Sequence, residues 1–222
     1  MKLLLASQGF LTDVIANEVA RVVEKKLSEI NIAIVNESYL ELDREKDKRW
    51  VIRELGCLEK YIGGRIDFID FKRLSKEEIS ERIEQADLIY FMGGKRNVLA
   101  RIIREYDLKD IIDDMLETKV VMGTSAGAMI WGKQIESEVY YQERYNKKYQ
   151  DIVDKDYEIV NFNIIPHYLR KGREKWNEEF FNRTLKNEKF PIYAINDNQM
   201  ISYVNGRINF IGGEPVVFGK II

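Results

Sequence analysis

The segment Val120-Val121-Met122-Gly123-Thr124-Ser125-Ala126-Gly127-Ala128-Met129 carries the sharpest chemical signal in the chain: an apolar run, then Gly-x-Ser-x-Gly, then a small-residue helix start. This is the form of a nucleophile elbow, a sharp strand-to-helix turn that forces the serine into a strained backbone conformation, with glycines two residues either side relieving the crowding. The hydroxyl then stands above the carboxyl ends of the strands, and the following helix aims its N–H groups at any negative oxygen formed there. Glycine-rich turns also bind phosphate, but no Gly-Lys-Ser/Thr follows and Lys133 lies too far along.

A serine hydroxyl is a poor nucleophile at neutral pH and needs a base. His167 is the only histidine in the chain; it follows Ile164-Ile165-Pro166 and is expected at the mouth of a strand or at a loop edge. A third group must orient the imidazole. Asp197, in Ile195-Asn196-Asp197, stands at the carboxyl end of a short apolar run, where an active-site acid belongs, although a turn aspartate between two strands reads the same way. Glu136 and Glu138, soon after the elbow, are the alternative acids.

Such groups need a scaffold that brings strand ends together. Lys2 to Ala6, Ile32 to Val35, Ile66 to Phe71, Leu88 to Met92 and Lys119 to Met122 read as short buried strands. Amphipathic stretches lie between them: Thr12 to Ile30, a helix opened by a Ser75/Glu78 capping box and ending near Ala86, and one capped by Asp107 that runs to Leu116. The alternation predicts an α/β fold, a mostly parallel sheet with helices on both faces. Glu136 to Asp156 is polar and rich in tyrosine (Tyr140, Tyr141, Tyr145, Tyr149), and reads either as a lid or as a surface loop with an embedded short helix. A helix around Glu174 to Leu185, a strand at Ile192 to Ile195 and a C-terminal β-hairpin turning at Asn205-Gly206 complete the pattern, and residues 1–222 are expected to form a single domain.

With 35 basic and 37 acidic side chains the charges nearly cancel, which argues against nucleic acid as a partner. The sign-alternating run Glu41 to Arg49 reads as a solvated helix face. The one cysteine, Cys57, cannot form an internal disulfide, Leu3-Leu4-Leu5 is too short for a secretory leader, and no stretch approaches a membrane span; a soluble, cytoplasmic protein is expected, with no membrane partner. An edge strand or the apolar run Pro215 to Phe218 is where a homodimer would form.

The chain order Ser125, His167, Asp197 differs from the Ser, Asp, His order of α/β-hydrolases and from both familiar protease orders. It matches the nucleophile, His, acid order of the class I glutamine amidotransferase-like sheet. In the amidotransferases the nucleophile is cysteine and the acid follows two residues after the histidine; here those positions hold Ser125 and Leu169. Four blocks, Phe91-Met92-Gly93-Gly94, Gly123-Thr124-Ser125-Ala126-Gly127-Ala128, Pro166-His167-Tyr168 and Ile195-Asn196-Asp197, together resemble the peptidase E (aspartyl dipeptidase) family, which includes the cyanophycinases.

The resemblance implies a Ser-His-acid triad on an amidotransferase-like fold, acting without cofactor or metal as a dipeptidase or exopeptidase on short peptides with N-terminal aspartate. By it Ser125 is the nucleophile and His167 the base, Asp197 stands where aspartyl dipeptidase has a glutamate, and the N–H groups of Gly94 and Ala126 form the oxyanion hole. The family usually follows its double glycine with Asn-Thr, where this chain has Lys95-Arg96-Asn97. An acidic substrate calls for a cation, for which Lys95, Arg96, Arg170 and Arg173 are candidates. The same triad would also serve an ester, an isoaspartyl peptide or a cyanophycin-like polymer, and a non-catalytic binding domain that retains the elbow is the reading from a different class.

Overall fold

Leu3, Leu4, Leu5 and Ala6 are each at most 1% exposed, the pattern of a strand covered on both faces. The computed structural model describes residues 1–37, 47–148 and 157–220. Its strands are β1 (Lys2–Ala6), β2 (Ile32–Val35), β3 (Ile66–Ile69), β4 (Leu88–Phe91), β5 (Val120–Thr124), β6 (Asn163–Pro166), β7 (Pro191–Ile195), β8 (Met200–Val204), β9 (Arg207–Ile211) and β10 (Val216–Gly219). The larger sheet has the order β3-β2-β4-β5-β1-β8-β9; β1 to β5 are parallel, and β8 and β9 close one edge as an antiparallel hairpin. A smaller sheet, β10-β7-β6, pairs β6 and β7 in parallel.

Alternate side chains of each central strand feed different cores. Leu4 and Ala6 pack with Ile34, Tyr90 and Met122 under α1 (Asp13–Val23) and α2 (Arg49–Tyr61). Leu3 and Leu5 pack with Val35, Phe91 and Val121 under α3 (Lys76–Glu84), α4 (Arg96–Glu105) and α5 (Lys109–Thr118). The mostly parallel α/β sheet with helices on both faces and a C-terminal hairpin is therefore the fold. A third core joins the smaller sheet to α7 (Glu138–Tyr145) and α8 (Glu178–Leu185), which follow the single-turn α6 (Ala126–Met129).

Local signals fix several boundaries. The Ser75/Glu78 capping box forms in both directions, with Glu78 N donating to Ser75 Oγ at 3.2 Å and Ser75 N to Glu78 Oε2 at 2.8 Å. Asn205 and Gly206 take φ of 50° and 85°, the left-handed pair that a two-residue hairpin turn demands. Other expectations need correction. The helix over Thr12 to Ile30 stops at Val23, because Glu24 turns left-handed and bonds back to Ala20, leaving only a 3-10 turn at Leu27–Glu29. Asp107 is not a cap: it has φ of 51° and pairs with Lys76 at 2.7 Å, while Leu108 precedes α5 without a side-chain cap. The strand over Ile66 to Phe71 ends at Ile69, since the Phe71 N–H donates instead to the Glu37 carboxylate, and as the edge of the larger sheet it leaves Ile66 and Phe68 exposed rather than buried. The helix over Glu174 to Leu185 begins at Glu178, where Asn177 caps it. Within Glu136 to Asp156 the short embedded helix is α7. Most of the Glu41 to Arg49 run, and Tyr149, lie outside the described residues. The Pro215 to Phe218 run largely becomes β10, the edge of the smaller sheet, with Phe218 buried.

Candidate active site

Parallel register places three strand ends side by side. Ala6 pairs with Thr124 and Phe91 with Gly123, so Ser7, the Gly93-Gly94 pair and Ser125 leave the same edge of the sheet. Ser125 has φ of 51° and ψ of −114°, the strained conformation expected of an elbow, and its N–H is held by Ala6 O at 3.0 Å. The flanking glycines are there for contact: a Cβ at Gly123 would sit 2.2 Å from Gly127 O, and one at Gly127 would sit 2.2 Å from Phe91 O.

The partners come from the smaller sheet. Pro166 pairs with Ile195, which brings His167 and Asp197 out at neighbouring strand ends facing the elbow. His167 Nε2 lies 3.1 Å from Ser125 Oγ, and its Nδ1 is hydrogen-bonded to Asp197 Oδ1. Ser7, which the sequence reading passed over, ties the two sheets together. Its Oγ accepts from His167 N at 2.8 Å, donates to Asp197 Oδ1 at 3.1 Å and lies 3.4 Å from His167 Nδ1. The available signal was its place, a small polar residue directly after a buried strand. Arg170 Nε stands 3.7 Å from Asp197 Oδ2.

Burial holds the His167 imidazole below its ordinary pKa; the Asp197 hydrogen bond and charge oppose this, and Arg173 and Arg170 reinforce it. Burial works against ionisation of Asp197 too, but His167, Arg170 and Ser7 outweigh it, and the carboxyl falls below its ordinary value. The arrangement holds a neutral imidazole between a hydroxyl and a carboxylate, a geometry able to take the hydroxyl proton.

Two clefts meet at Gly94, Ser125, His167 and Arg173. One is lined further by Ser7, Trp50, Glu54 and Arg170. Lys95, Arg96, Arg144 and Tyr145 line the other. Burial and then the positive charges of Arg144 and Arg170 lower the Arg173 pKa. Arg144, also missed from sequence, lies over the rings of Tyr140, Tyr145 and Phe181 and donates to Tyr140 Oη at 2.8 Å. Arg96 is 9% exposed and donates to Tyr141 Oη at 3.0 Å. The N–H groups of Gly94 and Ala126 have no acceptor among the described residues. Glu136 and Glu138 line a different cleft with Arg183 and Glu188, which does not include Ser125 or His167, so they are not brought to the imidazole. Among the described residues no helix is long and apolar enough to cross a membrane.

A family model described as peptidase family S51 matches residues 43–211. An uncharacterized peptidase of Pasteurella multocida is 28% identical over 115 residues, 48% of this chain and 51% of its own length, so the chain spans about half of that curated relative. Among solved structures, a candidate peptidase E protein from Listeria monocytogenes superposes with a TM-score of 0.70 at 20% identity, over 94% of this chain and 96% of that one. A peptidase from an acI-B1 Actinobacterium gives a TM-score of 0.63 at 18% identity, over 98% and 96%. At these identities the two structures speak for the fold.

Proposed function

The chain belongs to peptidase family S51, and on that premise we propose that it is a serine peptidase that removes N-terminal aspartate from dipeptides or other short peptides. The observation that carries the reading is the line of contacts Ser125 Oγ, His167 Nε2 at 3.1 Å, and His167 Nδ1 on Asp197. Ser125 attacks the carbonyl of the first residue while His167 accepts its proton. The imidazolium, steadied by Asp197, then returns that proton to the leaving amine, and water releases the acyl group by the reverse sequence. The free N–H groups of Gly94 and Ala126 are the donors for the oxyanion. Arg170 and Arg173 border the cleft beside Ser125, and like-charge crowding around Arg173 favours an arriving carboxylate, which supports an acidic first residue.

Ser125→Ala is expected to lower turnover by roughly 10⁴-fold or more while leaving the fold intact. Full residual activity in the purified variant would overturn the mechanism. A panel of Asp-X, isoaspartyl and Ala-X dipeptides beside simple esters tests the substrate class. Cleavage of Asp-X no faster than Ala-X would defeat the aspartate assignment.

A further inference from the structure

The proposed reaction leaves one acidic side chain of the cleft unused. Glu54 follows Val51 by three residues and precedes Leu58 by four, so helical spacing carries it onto the buried stripe of α2, where it is 7% exposed. It nevertheless faces the cleft that contains Ser125. Tyr90 Oη donates to its Oε1 at 2.7 Å. Among the described residues no cation pairs with it. Burial pushes the carboxyl up to about 7, the mark of a site short of positive charge. A buried acid held by one neutral hydroxyl costs stability, and a cation brought in by a ligand would offset that cost.

The position narrows which cation this is. Glu54, Thr124 and Ser125 line one cleft, so the Glu54 carboxyl and the nucleophile face the same space. In a peptide the α-nitrogen lies only about 2.5 Å from the carbonyl carbon of its own residue. Its receptor must therefore lie close beside the nucleophile, whereas a lysine ammonium reaches well beyond it. We propose that Glu54 receives the α-ammonium group of the residue whose carbonyl Ser125 attacks, and so restricts the enzyme to peptides with a free N-terminus. Arg170 and Arg173 border the same cleft, which thus offers an acid for the amine and bases for the side-chain carboxylate of aspartate. The inference rests on the serine peptidase reading above.

The test compares Asp-Ala with succinyl-Ala, which is Asp-Ala with the ammonium group replaced by hydrogen. The wild type should prefer Asp-Ala by roughly 10- to 100-fold in kcat/KM, the range of one charge-assisted hydrogen bond. Glu54→Gln, close in shape, should remove most of that preference through a higher KM for Asp-Ala, with succinyl-Ala changing less than about threefold. A merely structural role would slow both substrates alike and leave their ratio intact, and that result overturns the proposal. So does equal cleavage of the two by the wild type, or faster cleavage of Lys-Ala carrying an acetylated α-amine. If the wild type hydrolyses no peptide and Ser125 also resists a fluorophosphonate, the peptidase reading itself fails.

Discussion

Ser7 gives its hydroxyl oxygen to His167 N at 2.8 Å and its proton to Asp197 Oδ1 at 3.1 Å, so one small side chain fixes both the backbone of the base and the carboxylate behind it. Ser7→Ala leaves the His167 N–H without that acceptor and is expected to lower kcat about 10- to 100-fold with little change in KM. Unchanged kcat in steady-state assays would remove Ser7 from the positioning machinery. The proposed base, His167, has a pH signature of its own. Because burial holds His167 below 6.5, the neutral form needed to accept the Ser125 proton persists further into acid than a free imidazole would. Fluorophosphonate labelling of Ser125, which involves no amine to engage Glu54, should fall with a midpoint below pH 6.5; a midpoint at or above 6.5 contradicts the depressed imidazole. Ser125, His167 and Asp197 were legible because their types are scarce or stand at strand ends. Ser7 was not, since serine is common after strands and its role depends on a sheet formed 160 residues later. Glu54 had a weak signal, an acid on an otherwise apolar helical stripe, and Arg144 had none, since its cleft assembles only when α7 packs on the smaller sheet.

The elbow is an element before it is a site. Gly127 lies against β4 so closely that a Cβ there would meet Phe91 O at 2.2 Å and Met92 O at 2.8 Å, both backbone atoms that cannot swing aside. Gly127→Ala must push α6 away from β4, which would cost about 1 to 3 kcal/mol as overpacking and displace Ser125 from His167. Chemical denaturation and peptide turnover should therefore fall together, and wild-type stability in this variant would contradict the contact. Elements whose cause is local were readable from sequence: the five parallel strands, of which β1, β2, β4 and β5 are buried, the Ser75 capping box and the Asn205-Gly206 turn. The misreadings share a physical origin. Glu24 ends α1 by taking φ of 63°, and Asp107 takes φ of 51° beside Lys76, choices set by tertiary placement rather than by residue type. The smaller sheet was the larger gap. β6 and β7 were visible as apolar runs, but their pairing into a second sheet that faces the first depends on contacts between distant segments.

At the scale of the whole molecule, the site lies where the carboxyl edges of two sheets meet, and the fold buries two acids, Glu54 in the cleft there and Glu37 beside Phe71. Glu37 is 1% exposed, accepts from Phe71 N and, among the described residues, leaves Oε2 without a partner, while Glu54 is 7% exposed; burial pushes both carboxyls up to about 7. Their folded pKa values lie above the unfolded value of 4.5, so between pH 4.5 and about 7 the folded state holds protons that the unfolded chain has released. Stability from these two groups is therefore fully present below pH 4.5 and lost as pH rises through about 7. His167 runs the other way, since its lowered pKa makes the unfolded chain bind the extra proton below 6.5, and Asp197 does the same below 3.8. Glu188 is raised as well, but Glu37 and Glu54 carry the larger shifts, so the free energy of unfolding should decline from pH 5 to pH 8, by on the order of 2 kcal/mol for each of these two groups. Denaturant titrations at the two pH values measure this directly. Combining Glu37→Gln with Glu54→Gln should flatten the decline and leave the variant more stable than wild type at pH 8. If the variant keeps the wild-type slope, these acids are already ionised and paired, and the account of Glu54 as an acid awaiting a cation loses its energetic support.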